Sequence, residues 1–451
     1  MEAKLYYLKT FGCQMNYSDS ERFAAVLQKL GYKPTENLEQ SDVIVINSCS
    51  VRQRAEDRVV GMGKRIGSLR KTKPNLKVIL TGCMTKREYR LEANKQKKVR
   101  KEEKARARLK RIVPWVNIIL SVEDIDRLPA LLEKQEVTKI KDYFSIEPVY
   151  ESNFQAFVPI STGCNNFCSY CIVPYTRGRE KSRPLKEIVH EVKALIRNGY
   201  KEITLLGQNV NSYGNDLGES NLFPKLLHEI DQIKGEYWIH FISSHPKDLS
   251  DELIEVVANG NHITPQIHFA MQSGSNEVLE RMNRPYTIER YLRLVEKIKE
   301  KIPHVAVTTD VIVGFPGETE EDLKRTAEAM RKAKFAMAYL NEYSPRKGTK
   351  SYEMKDDVPS KVKHERKDQL NTILGATSKK FNEQFLNKKV IVLLTLATEK
   401  GVIGHTAQGI SVRISLPATE EQQLKQPPIG TFTKVLITEI GSWGMKGEIR
   451  K

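Results

Sequence analysis

Six cysteines are the residues of this chain best suited to chemistry: Cys13, Cys49, Cys83, Cys164, Cys168 and Cys171. Three fall within one short string, Cys164-Asn-Asn-Phe-Cys168-Ser-Tyr-Cys171. Thiolates at this spacing can hold three irons of a [4Fe–4S] cube. No fourth cysteine stands nearby, so one iron keeps an open position for a small molecule. A zinc knuckle is the competing assignment. Its ligands come as two spaced pairs, and no histidine lies near this trio. An even cysteine count also fits disulfides, but Met1 to Thr10 carries no signal-peptide core. Reduced thiols in the cytoplasm are therefore expected, and metal ligation with them.

The other three cysteines share a context. Cys13 stands in Thr10-Phe11-Gly12-Cys13-Gln14-Met15-Asn16, Cys49 in Ile46-Asn47-Ser48-Cys49, and Cys83 in Leu80-Thr81-Gly82-Cys83. Each follows an apolar run that reads as a strand: Leu5 to Lys9, Val43 to Asn47 and Val78 to Leu80. In a parallel sheet the carboxyl ends line one edge, where ligands bind. Three thiolates can converge there on a second metal centre. Gly12 and Gly82 are expected to let backbone approach that centre closely. Chance burial of free cysteines is the plainer alternative. Equivalent placement at three strand ends speaks against it.

The positioning elements follow from the apolar pattern. The first segment alternates strands and helices, adding a fourth strand at Asn117 to Leu120, which implies an open parallel α/β sheet. Six strand candidates follow, each ahead of a helical pattern: Phe157–Ser161, Ile203–Leu206, Trp238–Ser243, Ile267–Ala270, Val305–Val313 and Met337–Tyr343. Six repeats are two short of a closed (β/α)₈ barrel, so an open partial barrel fits. Named helices are Leu185–Asn198, Asn276–Met282, Ile288–Lys301 and Glu320–Lys334, and Lys361–Phe385 reads as a connecting helix. Short strands at Val390–Leu394, Ile410–Ile414, Lys434–Ile440 and near Gly447–Arg450 then suggest a small β-barrel. The fold class is α/β, in three domains: 3–138 for the N-terminal cluster site, 150–380 for the barrel core and 383–449 for the terminal β module.

The chain carries a formal charge of +17. Such a balance fits a polyanionic partner, nucleic acid first. Met84 to Arg111 holds 13 Lys/Arg against 4 Glu, read either as a solvated helix or as a phosphate-contacting arm. No apolar run reaches membrane-spanning length, so no membrane partner is expected.

Several polar residues end the barrel strands, where barrel enzymes place their active sites. Arg177, Arg179 and Arg183 follow the cysteine loop and suit phosphate or carboxylate. Gln208, Asn209 and Asn211 follow the second barrel strand. Gln272 and Ser273 follow the fourth. Asp310 and the Gly314-Phe315-Pro316-Gly317 turn belong to the fifth. Glu318 reads as a first-turn helix acid, and His245 and His268 read as structural.

The three-cysteine string with its open iron resembles the radical S-adenosylmethionine superfamily. The whole chain resembles the methylthiotransferases within it, on KTFGCQMN (9–16), GCNNFCSYCIVPYTRGREKSRP (163–184), LLGQNVNSYG (205–214), MQSGSNEVLERMNRPYT (271–287) and DVIVGFPGETEED (310–322). Gln14-Met15-Asn16 after the first cysteine is similar to the tRNA-modifying branch that makes 2-methylthio-N6-dimethylallyladenosine, not to the branch acting on a ribosomal protein. The terminal module resembles the TRAM RNA-binding fold. This resemblance implies two [4Fe–4S] clusters and S-adenosylmethionine as cofactors, with Tyr170 near the adenine and Arg177, Arg179, Gln208, Asn209, Gln272, Ser273 and Asp310 around the cofactor. It implies one S-adenosylmethionine methylating sulfur at the Cys13/Cys49/Cys83 cluster. A second, cleaved at the Cys164/Cys168/Cys171 cluster, yields the radical that opens carbon 2 of an adenine. The implied partners are the anticodon loop of a tRNA and a reductant such as flavodoxin or ferredoxin, with a monomeric enzyme. A sibling acting on threonylcarbamoyl-adenosine, or a non-catalytic iron–sulfur RNA binder, are the alternatives.

Overall fold

Val43–Ser48 is Val-Ile-Val-Ile-Asn-Ser, buried at every position. A run apolar on both faces belongs at the centre of a covered parallel sheet, and that is where it sits in a computed structural model of the chain. The structure describes residues 3–51, 53–85, 95–133, 143–219, 222–415 and 428–449. Five parallel strands run in the order Lys33–Pro34, Leu5–Phe11, Val43–Ser48, Lys77–Thr81, Ile118–Ile119. One face packs Val43, Val45 and Ile79 on Phe23 and Leu27 of the Gln14–Lys29 helix. The other packs Ile44, Ile46, Val78 and Leu80 on Val59, Ile66 and Leu69. The two-residue edge strand Lys33–Pro34 is absent from the sequence reading, because so short a pairing carries no periodicity.

Six parallel strands follow. Gln155–Pro159, Glu202–Leu206 and Trp238–Phe241 form one group, and Gln266–His268, Ala306–Val313 and Met337–Glu342 another. Isolated parallel bridges at Ile239–Ile263 and Ser244–Phe269 join them into one curved open sheet. All six strands coincide with the sequence reading within a few residues. Helices Leu185–Arg197, Asn276–Arg281, Ile288–Lys301 and Glu320–Ala333 stand where their patterns place them, and Leu222–Asp231 and Asp251–Asn259 complete the outer layer. A single apolar cluster, from Ile203, Leu205, Ile239 and Phe241 to Ile188, Leu226 and Leu253, fills the space between strands and helices.

The Ser360–Asn382 helix leads into a closed five-stranded barrel. Its strands are Lys389–Thr398, Gly401–Thr406, Ser411–Ser415, Phe432–Gly441 and Gly444–Glu448. Closure removes every free edge. The Gly401–Thr406 strand is absent from the sequence reading, where its two glycines and a histidine disguise it. Within the basic segment Met84 to Arg111, residues 86–94 lie outside the described residues, and Lys95–Ile112 is a helix. Arg450, at the end of the last expected strand, also lies outside the described residues, as does the limit 138 set for the first domain. No described helix is long and apolar enough to cross a membrane.

Candidate functional site

The 2-1-3-4-5 strand order of the N-terminal sheet reverses between its first and third strands. Ligands in such sheets bind beyond the carboxyl ends at that reversal. Cys13 follows Leu5–Phe11 and Cys49 follows Val43–Ser48, so both stand at the reversal, and Cys83 follows the neighbouring strand. The three thiols meet. Cys49 hydrogen-bonds Cys83, and Cys13 lies within electrostatic reach of both. That hydrogen bond, with the Arg177 guanidinium, holds the Cys83 thiol below its usual range against its burial. Thiolate is the metal-binding form.

Two asparagines hold these loops together. Asn16 Oδ1 accepts from the Cys13 amide at 3.3 Å, and Asn16 Nδ2 donates to Asn47 Oδ1 at 2.9 Å. Asn47 Nδ2 returns a bond to the Asn16 carbonyl at 2.8 Å. The glycines serve this web. A Cβ on Gly12 would stand 2.3 Å from Asn16 Oδ1. One on Gly82, whose φ is +89°, would stand 2.2 Å from Asn47 Oδ1. Both glycines pack directly against the asparagines that hold the cysteine loops.

The second trio caps the barrel's carboxyl edge. Its loop is tied by Cys164 N to Gly178 O at 3.0 Å and Cys171 N to Cys168 O at 2.9 Å. Burial pushes Cys164 up to about 11 and raises Cys171 as well. Burial and the neighbouring sulfurs disfavour thiolate at Cys164 and Cys171, and a bound metal deprotonates such thiols outright. The donor set therefore fits the iron–sulfur cluster that the sequence implies.

Around the same rim, Ser161 Oγ, Gln208 Oε1, Ser244 Oγ, His245 Nε2 and Gln272 Oε1 are buried without hydrogen-bond partners. They follow four successive strands at the carboxyl edge. Each such atom costs about 1–3 kcal/mol unless something polar satisfies it. Gln272 is held there at a φ of +67°, a strained conformation for a side-chain residue. A polar ligand with several donors and acceptors suits this rim, and S-adenosylmethionine is one.

The other expected cofactor contacts divide. Asp310 Oδ2 lies 2.9 Å from His268 Nε2 at the rim. The Tyr170 ring packs beside Val278, Met282, Phe315 and Tyr343. Asn209 spends its amide on Asp248 Oδ2 at 2.7 Å and its oxygen on the His245 amide at 3.2 Å. Ser273 Oγ accepts from the Ser275 amide. Both hold loops together. Arg179 lies over the Phe167 ring, 4.6 Å from its centroid. Arg183 donates to the Pro159 carbonyl and pairs with Glu191. Glu318 accepts from Gly314 N and Arg366 Nη1, both at 2.8 Å, so it clamps its turn.

Arg177 departs from its expected place. Its Nη2 lies 2.6 Å from Asp19 Oδ2, and its Nε donates to Cys83 Sγ at 3.3 Å. Asp19 sits on the Gln14–Lys29 helix, so Arg177 reaches out of the second cysteine loop into the first trio. The physical reason is charge: a buried carboxylate and an ionisable thiol draw the guanidinium away from the rim. Sequence reading also missed Arg284, which donates to Cys168 Sγ at 3.5 Å and to the Ala270 carbonyl at 2.7 Å. Its signal was present, as an arginine inside the 271–287 string. Arg346, which donates to Gln53 Oε1 and feels the charge of Cys49, carried no local signal.

Comparison with known proteins accords with this geometry. Residues 158–330 match the model of the radical SAM superfamily, and residues 5–101 match that of "uncharacterized protein family UPF0004". A tRNA-2-methylthio-N(6)-dimethylallyladenosine synthase of Thermoanaerobacter pseudethanolicus is 41% identical, over 98% of this chain and 92% of that protein. The protein of that name from Caldicellulosiruptor saccharolyticus is 42% identical over 99% and 92%. The one from Clostridium tetani is 39% identical over 98% and 96%. Among solved structures, the apo cobalamin-dependent S-adenosylmethionine radical enzyme OxsB superposes at a TM-score of 0.50 and 12% identity, covering 85% of this chain and 56% of that one, a likeness of fold. Similar along nearly its whole length to these relatives, and carrying both cysteine trios at strand ends, the chain belongs to the tRNA-2-methylthio-N(6)-dimethylallyladenosine synthase family of radical SAM methylthiotransferases.

Proposed function

We propose that this enzyme places a methylthio group on carbon 2 of N6-dimethylallyladenosine in the anticodon loop of tRNA, using two [4Fe–4S] clusters and two molecules of S-adenosylmethionine. The observation that carries this reading is the pair of three-thiol sites joined by Arg177. An aromatic C–H is beyond any side-chain base, so the hydrogen must leave by cofactor chemistry. Bound at Cys164, Cys168 and Cys171 with S-adenosylmethionine, a cluster supplies one-electron cleavage of the sulfonium and abstraction of that hydrogen. Cys13, Cys49 and Cys83 would hold the second cluster, which would supply the site for the sulfur that is transferred.

The chain's own residues do the rest. Gln208, Gln272, Ser161, Ser244 and His245 orient S-adenosylmethionine with their open polar atoms. Arg284 and Arg177 each donate to one sulfur per trio, stabilising the negative charge of thiolate ligands. Asn16 and Asn47 fix the mutual position of the first three loops. The three segments 3–138, 150–380 and 383–449 share the labour as sulfur site, radical core and RNA grip. A single-stranded anticodon loop can splay its base into the rim, and the net charge of +17 favours the approach of its phosphates. A flavodoxin- or ferredoxin-like reductant feeds the core, and the enzyme acts as a monomer.

The test is nucleoside mass spectrometry of tRNA from a strain lacking the modification and expressing this chain. The 2-methylthio-N6-dimethylallyl nucleoside should appear. If only the 2-methylthio derivative of threonylcarbamoyl-adenosine appears, the substrate assignment fails.

A further inference from the structure

Away from both thiol sites, three ligand-type side chains meet at the amino end of the barrel strands. Glu202 opens the Glu202–Leu206 strand, and His240 lies in Trp238–Phe241. Ile203, Leu205, Ile239 and Phe241 face the helix-covered core. Strand alternation therefore turns Glu202 and His240 to the inner side of the sheet. His405 comes from Gly401–Thr406 of the C-terminal barrel. Its Nε2 lies 2.7 Å from Glu202 Oε1, and His240 Nε2 lies 2.8 Å from the same oxygen. The three ligand atoms fall within 4.8 Å of one another. The His240 and Glu202 side chains are only 8% and 9% exposed.

All three side chains converge on one carboxylate oxygen, since Glu202 Oε1 is hydrogen-bonded by both imidazoles. Thr264 Oγ1 lies 2.9 Å from His240 Nδ1 and 3.1 Å from the Ile239 carbonyl, which ties down the far side of the His240 ring. A largely buried point where two imidazole nitrogens and a carboxylate oxygen meet can serve a metal ion once the imidazoles present their lone pairs to it.

We propose that Glu202, His240 and His405 bind a zinc-class divalent cation that clips the C-terminal barrel to the radical core. Two imidazoles and a carboxylate are a usual zinc donor set, with a fourth position left for water. The outer contacts suit it. Thr264 fixes the ring of His240, as partners of metal-bound histidines do, and Gln155 Nε2 donates to the second oxygen of Glu202. Ligand atoms about 2.0–2.1 Å from a tetrahedral ion stand about 3.3 Å apart, so an opening of about 0.5 Å seats the metal. His405 is 20% exposed, which leaves the ion a way in.

The full chain, purified anaerobically with its iron–sulfur centres loaded, is incubated with zinc chloride, desalted, and assayed for zinc and iron by mass spectrometry. About one zinc per chain should remain, in keeping with a single tetrahedral site. His405→Gln and Glu202→Gln should each lose that zinc while iron is unchanged. His405→Gln keeps a donor to Glu202 at nearly the same volume, so it decides the matter if Glu202→Gln does not fold. Zinc retained equally by wild type and His405→Gln overturns the proposal, as does wild type that retains none.

Discussion

Replacing Arg177 by Met separates the structural from the chemical role of the link between the two trios. The side chains of Arg177 and Asp19 are 9% and 0% exposed, and their ion pair spans 2.6 Å. Removing one partner of such a pair strands a buried charge, which costs about 3–5 kcal/mol. Asp19 keeps one other donor, the Tyr143 hydroxyl at 2.5 Å, so the lower end of that range applies. Urea unfolding of the full chain should show a loss of about 3 kcal/mol for Arg177→Met. The double variant Asp19→Asn/Arg177→Met should recover most of it, because it removes both charges together. Iron content reads the chemical role separately. Without the guanidinium, Cys83 loses a group that favours its thiolate. The double variant should therefore stay folded yet hold less iron at the first trio. If Arg177→Met unfolds at the wild-type urea concentration and keeps full iron, the link is neither a stabilising pair nor a cluster contact.

Other outcomes follow from the same geometry. The triple variant Cys13→Ala/Cys49→Ala/Cys83→Ala should bind half the iron of wild type and still form 5′-deoxyadenosine; full iron would refute a second cluster. Gln208→Leu and Gln272→Leu should each weaken S-adenosylmethionine about 10-fold, one hydrogen bond's worth, with iron unchanged; unchanged binding by calorimetry would remove them from the rim. Burial, with Arg284 and Lys247 beside it, holds His245 down to about 2, so the folded chain keeps it neutral. Below the unfolded value near 6.5 only the unfolded state takes up that proton, so stability falls with acid by about 1.4 kcal/mol per pH unit. His245→Gln should flatten the fall between pH 6.5 and 5 by about that slope in urea titrations. Equal slopes would show that His245 is protonated in the fold.

Legibility in the sequence tracked the range of the forces involved. The Val43–Ser48 strand and the six barrel strands announce themselves because burial on a pleated sheet imposes a pattern on neighbouring residues. The cysteine trios were legible for a related reason, since strand ends are fixed by those patterns and chemistry gathers there. Arg177 was not. Its partner Asp19 lies 158 positions away, and nothing local tells an arginine which distant carboxylate will claim it. Lys33–Pro34 and Gly401–Thr406 failed for want of period, one too short and one interrupted by glycine.

The glycines carry the sharper lesson. Gly12 and Gly82 stand beside cysteines, so closeness to a metal is the natural inference from sequence. The structure adds a role that the sequence did not suggest: both glycines pack against Asn16 and Asn47, whose amides tie together loops from different strands. A trio gathered from three strands has no short loop to set its spacing, unlike Cys164, Cys168 and Cys171. Something must fix the thiols before the metal arrives, since a floppy trio would bear the ordering entropy out of its binding energy. The asparagine web does this with buried, mutually satisfied bonds. On this argument Asn47→Ala should be harsher on the first cluster than any change at the barrel rim, although Asn47 donates to no thiol.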